Sequence, residues 1–301
     1  GMAKISPQYR AATGCSLLME NSSDLDSIIT RHIKPSLQAW PLGDSVESIE
    51  VTLQQTLDNV LKTDNENAFN TRALIMVKDG QIVAESYSQG ITPTTPLLGW
   101  SMAKSLTAIM LGRMQKMGMV DISQANLFTQ WQSDDRKNLT LKHLLQMSSG
   151  LAFDEAYAPG SDATHMLFTS KNASDVALKS PLADIPSKTF SYSSGTTNLL
   201  TRFMHQQLGN STQASVDFLV NEVFVPLGMQ HSVFETDSSG IFVGSSYLYA
   251  SGRDWARLGL LMLNKGSVNG KQLLDPTWVA QAIQPNQSNN DKKYGYQFWL
   301  N

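Results

Sequence analysis

Pro93-Thr94-Thr95-Pro96-Leu97-Leu98-Gly99-Trp100-Ser101-Met102-Ala103-Lys104 is where a proline-punctuated loop gives way to a helical run, predicted over Met102 to Lys116. Residues three apart on a helix share a face, so a helix starting here stacks the Ser101 hydroxyl beside the Lys104 amine. A helix N-terminus also presents unpaired N–H groups and positive potential to a developing anion. The run carries Met102, Leu106, Ala108, Ile109, Met110, Leu111 and Met114, apolar around most of its circumference, which predicts a buried helix. Burial of Lys104 disfavours its charged form and lowers its pKa toward the range of a general base. A serine with such a base in reach is an activated nucleophile. An ordinary helix cap followed by a solvated amine has the same spacing, so the pair gains weight only from its surroundings.

Upstream lies the clearest β pattern: Ala73 to Lys78 and Gln81 to Tyr87 flank Asp79-Gly80, a two-residue hairpin turn of the primed type. Ser45 to Leu61 reads as a helix, with Val46, Ile49, Leu53, Leu57 and Val60/Leu61 at helical spacing, and Asp24 to Ile33 as a possible one. Downstream, a short helix over Leu139 to Met147 is stopped by Ser148-Ser149-Gly150, and Asp134 to Asn138 reads as a solvated turn. Residues 152–190 show no strong periodicity. Further helices are predicted over Thr196 to Leu208, Val216 to Val225 and Arg253 to Leu263, the last opened by Ser251 and Asp254 as a capping pair. Asp275-Pro276 starts another, as N-cap and first-turn proline, reaching about Ile283. Ser246 to Ala250 and Tyr294 to Leu300 read as strands, Asn269-Gly270 as a turn and residues 285–293 as a polar loop. The order is sheet, helices, sheet. It predicts an α/β (α+β) chain: residues 1–100 and 245–301 form the sheet domain, residues 101–244 a mostly helical insertion, and the 101–117 helix their boundary. Active clefts commonly lie at such boundaries.

With 301 residues, 41% of them hydrophobic, the chain can bury sizeable cores, and a net charge of −3 argues against nucleic acid as a partner. No run approaches the roughly 18 apolar residues of a transmembrane segment. Cys15 stands alone, and His32, His143, His165, His205 and His231 form no metal-ligand spacing, so no metal site is expected. Residues 1–20 have no continuous apolar core of a signal peptide, while Gly1-Met2 resembles a cloning scar. A periplasmic or secreted location is expected if a leader was removed, and a cytoplasmic one otherwise. Oligomeric state is not legible.

The second constellation is Phe190-Ser191-Tyr192-Ser193-Ser194-Gly195, a short loop before a helix. Near a lysine ammonium the Tyr192 phenol would ionise more easily and could shuttle a proton; alone, it reads as an ordinary buried tyrosine. Asp154, Glu155, Tyr157 and Asp162 lie in a long polar segment of the kind that forms binding loops, and Asp154 is taken as a candidate substrate contact. Trp100 and Tyr249 are candidate substrate contacts too, although large aromatics beside a buried helix are more often core.

A Ser-x-x-Lys opening a buried helix, followed about ninety residues later by Tyr-x-Ser before another helix, resembles the serine β-lactamase-like hydrolases. The resemblance is closest to the class C branch, with its esterases, D-amino-acid peptidases and 6-aminohexanoate-dimer hydrolases. It is carried also by Leu144 to Leu151, by Tyr192 to Leu200, by Pro226-Leu227-Gly228-Met229 and by Tyr249 to Arg257, and runs from about residue 70 to 301. It implies a β-lactamase/transpeptidase-like antiparallel sheet flanked by helices, with a mostly helical second domain inserted. It also implies roles: Ser101 attacks an acyl carbon, Lys104 holds or accepts the proton, Tyr192 acts as general acid/base, and the Ser101 N–H supplies an oxyanion donor. The implied substrate is a small ester, amide or peptide-like molecule, with no cofactor.

Two departures qualify this. Ser194 stands where class C β-lactamases carry asparagine, so esterase or amidase activity is expected over efficient β-lactam hydrolysis, with Ser194 a substrate-side position. The family's third motif follows the Tyr-Gly-x-x-Phe-Trp segment, and the expectation is an omitted or separate tail beyond Asn301. Two other readings compete. Gly99-Trp100-Ser101-Met102-Ala103 is a near-miss of the GxSxG elbow, which needs a strand before the serine and a later Asp and His. Alternatively, the chain is a degenerate family member that binds a peptide or cell-wall fragment without turnover.

Overall fold

The computed structural model describes residues 7–17, 22–31, 33 and 36–301; His32 lies outside the described residues. In chain order the strands and α-helices are β1 (Pro7–Arg10), β2 (Gly14–Leu17), α1 (Val51–Glu66), β3 (Ala73–Lys78), β4 (Gln81–Tyr87), β5 (Leu97–Leu98), α2 (Ala103–Lys116), α3 (Leu141–Leu145), α4 (Asp162–Phe168) and α5 (Ser174–Lys179). They continue with α6 (Ser194–Gln207), α7 (Thr212–Leu219), α8 (Val225–Leu227), β6 (Ser232–Phe234), β7 (Leu248–Ala250), α9 (Gly252–Leu263), β8 (Ser267–Val268), β9 (Lys271–Gln272) and α10 (Pro276–Ala282). Among the described residues the named strands pair antiparallel, and the three-stranded sheet runs β5-β7-β6.

The β3–β4 hairpin forms where the alternating pattern placed it. Its turn puts both Asp79 (φ 51°) and Gly80 (φ 79°) in the left-handed region, the twist that primed turns need. Helix α1 packs on β4 and α9 on β3. Helix α1 starts six residues later than predicted. The Glu50 N–H donates to the Val83 carbonyl at 2.8 Å, so the residues before Val51 run extended beside the hairpin.

Helix α2 is the centre of the core. Leu106, Ala108, Leu111 and Met114 are fully buried, within a continuous cluster that reaches α3, α6, β7, α9 and α10. The helix begins at Ala103, after a 3-10 turn over Trp100–Met102, and Met102 is exposed rather than part of its apolar face.

Several other expectations are corrected. Asp24 to Ile33 is not an α-helix; a 3-10 turn covers Ser22–Ser27. Residues 152–190 hold α4 and α5, each too short to show a period, with the Ser161 hydroxyl accepting from the Thr164 N–H as cap of α4. Arg136 is not merely solvated: it donates to the Leu178 and Ser180 carbonyls at 3.0 Å while paired with Asp134. Ser251 caps α9 as expected, but Asp254 gives no return bond; its carboxylate is turned to Arg257, His231 N–H and Ser232. Asp275 makes no side-chain cap either, because its carboxylate holds Lys116 at 2.8 Å.

The largest correction concerns Tyr294 to Leu300, which is a reversal rather than a strand. Gln297 has φ 61°, and Tyr294 and Trp299 form a single antiparallel bridge. The buried Gln297 carboxamide donates to the Leu144 and Leu145 carbonyls and accepts from the Thr197 hydroxyl, while its own carbonyl accepts from Ser105. Side-chain and main-chain bonds to α2, α3 and α6 replace a ladder.

Candidate active site

Strand β5 fixes the approach to Ser101. Leu97 and Leu98 pair with Ala250 and Tyr249 of β7, and the Gly99 N–H donates to the Leu248 carbonyl at 2.9 Å. Glycine is required at 99 because a Cβ there would lie 2.1 Å from the Trp255 ring. Trp100 then takes φ 46°, a left-handed conformation that a bulky residue adopts only where its surroundings impose it. This turn presents Ser101 at the surface, just before the first turn of α2.

Below it lies Lys104, 1% exposed. Its Nζ donates to Ser101 Oγ, Ser194 Oγ and the Ser245 carbonyl, each at 3.0 Å. Burial lowers its pKa to about 8, against an opposing pull from the Glu155 carboxylate. Asn198 on α6 clamps Ser245 from both sides: its Nδ2 donates to Ser245 Oγ, and its Oδ1 accepts from the Ser245 N–H, both at 3.1 Å. The carbonyl that holds Lys104 is thus itself fixed.

Tyr192, on the segment leading into α6, brings its ring to 4.9 Å from Lys104 Nζ and packs on Trp299 at 5.2 Å and Tyr294 at 6.1 Å. The expectation of an easily ionised phenol is not met. Burial among these rings raises its pKa, with Ser101 and Trp299 only partly offsetting the rise.

Ser101, Lys104, Tyr192 and Ser194 therefore meet at one place. Asp154 does not join them: it is exposed, accepts from the Ala156 N–H, and shapes its loop through a bond from its own N–H to Asp162. Its neighbour Glu155 enters instead, accepting from Ser194 Oγ at 2.5 Å and the Ser194 N–H at 2.7 Å. Trp100, 49% exposed, and Tyr249 are not core. With Tyr247, Met166, Phe168 and Glu235 they line a mostly apolar cavity of about 400 Å³. Sequence reasoning missed the roles of Asn198, Ser245 and Gln297. The available signal was the run of small polar residues Ser194, Thr196, Thr197, Asn198 and Thr201, all buried, set among Leu199, Leu200, Phe203 and Met204 of the same helix.

A triad serving Ser101 has no histidine among the described residues. His143 is bonded to Thr140, His165 to Thr169, His205 to Ser215 and His231 to Asp44. No helix among the described residues is long and apolar enough to cross a membrane.

The Beta-lactamase family model matches residues 54–301. No curated protein matches the chain. Solved structures share its fold at low identity. One described as a 6-aminohexanoate-dimer hydrolase from Bacillus anthracis superposes with TM-score 0.70 at 19% identity, over 92% of this chain and 78% of its own. A penicillin-binding protein from Bacillus halodurans gives 0.62 at 18%, over 79% and 83%. A D-amino acid amidase from Ochrobactrum anthropi gives 0.58 at 17%, over 78% and 74%.

Proposed function

The chain belongs to the Beta-lactamase family, with its β-lactamase/transpeptidase-like fold, and from that premise we propose that it is a serine hydrolase opening an ester or amide bond through an acyl-enzyme on Ser101. The observation that carries the reading is a nearly inaccessible amine, its pKa lowered to about 8, at 3.0 Å from an exposed serine hydroxyl. In this mechanism Ser101 Oγ attacks the acyl carbon and its proton passes to Lys104. The Ser101 N–H, at the opening turn of the helix, faces the developing oxyanion. A phenol with a raised pKa keeps its proton at neutral pH, so Tyr192 supplies that proton to the departing alkoxide or amine. Lys104 then returns the serine's proton to the Tyr192 phenolate, and water attacks the acyl carbon, giving one proton to the neutral amine, which passes it to Ser101 Oγ as the acid departs. Trp100 and Tyr249 are proposed substrate contacts, placing an apolar group of a small ester, amide or peptide-like substrate in the adjoining cavity.

A fluorophosphonate probe followed by peptide mass spectrometry is expected to place a single adduct on Ser101, absent from Ser101→Ala. An unlabelled, folded protein would move the reading to a member that binds without turnover. The labelling rate is also expected to rise with pH and level off above about 8, since only the neutral amine accepts a proton. A rate independent of pH from 6 to 9 would remove Lys104 from the role of base.

A further inference from the structure

Glu155 makes no contact with Ser101, yet its two carboxylate oxygens hold one residue that touches Lys104. An ionised carboxylate only accepts hydrogen bonds. Ser194 therefore directs both its N–H and its hydroxyl proton to Glu155, at 2.7 Å and 2.5 Å. The only group that Ser194 Oγ can then offer Lys104 is a lone pair, at 3.0 Å. The Ser245 carbonyl, at the same distance, is likewise an acceptor. A neutral amine has two N–H groups and one lone pair. With both N–H groups drawn to Ser194 and Ser245, the lone pair is left to face Ser101 Oγ, the third neighbour at 3.0 Å.

We infer that Glu155 is a positioning residue which, through the Ser194 hydroxyl, turns the Lys104 lone pair toward Ser101. The inference rests on the proposed acyl-enzyme reading. Glu155 also acts at longer range: its negative charge opposes the effect of burial on Lys104 and keeps the amine basic enough to take the serine proton. The other titratable groups on this side are phenols: Tyr192 beneath Lys104, Tyr157, whose hydroxyl donates to Glu155, and Tyr294 behind Tyr192. Among the described residues, Glu155 is the carboxylate whose charge acts on Lys104.

The experiment is the pH profile of fluorophosphonate labelling at Ser101 in the full chain, for the parent, Glu155→Gln and Glu155→Asp. In Glu155→Gln the amide oxygen accepts from the Ser194 N–H, and its NH2 then donates to Ser194 Oγ. The Ser194 proton is thereby turned toward Lys104 and competes for its lone pair. The alkaline plateau is expected to fall about tenfold or more, and the acid limb to move about one pH unit lower as the charge is lost. Glu155→Asp keeps the charge and is expected to keep the limb. A folded Glu155→Gln protein with the parent's limb and plateau overturns the inference, while leaving the hydrolase reading intact. If that variant does not fold, Ser194→Ala decides: its plateau must fall about tenfold, and an unchanged plateau overturns the inference. An unlabelled parent overturns the hydrolase reading and this inference with it.

Discussion

Lys104→Met slows acylation of Ser101 by about 10³-fold, the middle of the range that a positioned general base contributes. Methionine matches the aliphatic stem in length and suits the surroundings of α2, where Ala103, Leu106, Ala108 and Met110 are buried. The fold is therefore expected to survive. Two buried acceptors, Ser194 Oγ and the Ser245 carbonyl, lose the donor they now share, which costs about 1–3 kcal/mol each before relaxation. Removing a desolvated amine offsets part of that, so the melting temperature changes modestly while the labelling rate collapses. The pH limb near 8 should vanish together with the rate, because the group whose titration produces it is gone. Retention of labelling within tenfold of the parent, with the limb still in place, would show that another group takes the Ser101 proton. Tyr192 is the neighbour placed to do so.

How far the sequence disclosed this site depends on the kind of signal each residue leaves. Ser101 and Lys104 are three apart across the 3-10 turn that runs into the buried helix α2, so their proximity follows from local geometry and was legible. The β3–β4 hairpin was legible for the same reason: alternation and Asp79-Gly80 are local. Glu155 and Asp154 could not be told apart, because in a loop without periodicity neighbouring acids point in directions set by tertiary contacts. The loop turns Asp154 onto its own backbone and Glu155 onto Ser194. The Tyr192 phenol departs from expectation because its burial is set by Tyr294 and Trp299, which lie about a hundred residues away and leave no local signal beside Tyr192. Tyr294 to Leu300 has the composition of a strand, and only the bonds of Gln297 to Leu144, Leu145 and Thr197 decide against one. Propensity yielded there to long-range hydrogen bonding.

Arg257→Leu is expected to destabilise the protein more than any surface change, by about 3–5 kcal/mol. Arg257 and Asp254 are 1% and 0% exposed on successive turns of α9, with Nη1 donating to Asp254 Oδ1 at 2.7 Å. The rest of the guanidinium is equally engaged. Nε donates to the Pro41 carbonyl at 2.7 Å, Nη2 to the Gly43 carbonyl at 2.9 Å and Asp44 Oδ1 at 3.0 Å, and the group lies 4.6 Å over the Trp40 ring. His231 and Arg257 together hold the Asp44 carboxyl down at about 2, so this pairing stays intact throughout the neutral range. Leucine fills part of the volume but leaves Asp254 buried without a counter-charge and two carbonyls without a donor. The main cost is the stranded charge, which gives the test its discriminating arm. Adding Asp254→Asn keeps an acceptor for the His231 N–H and the Ser232 hydroxyl while removing the charge, and should recover a measurable part of the loss. Chemical denaturation of the two single variants and the double variant closes the cycle. A loss below about 1 kcal/mol, the size of a surface pair, or no recovery in the double variant, would show that the ion pair is not what fixes the 41–44 segment to α9. The consequence reaches the site through the chain itself. Helix α9 follows directly from β7, β7 pairs with β5, and β5 leads into Ser101. The frame that Arg257 secures thus holds the nucleophile in register with its base, and the variant should lose Ser101 labelling only as it unfolds.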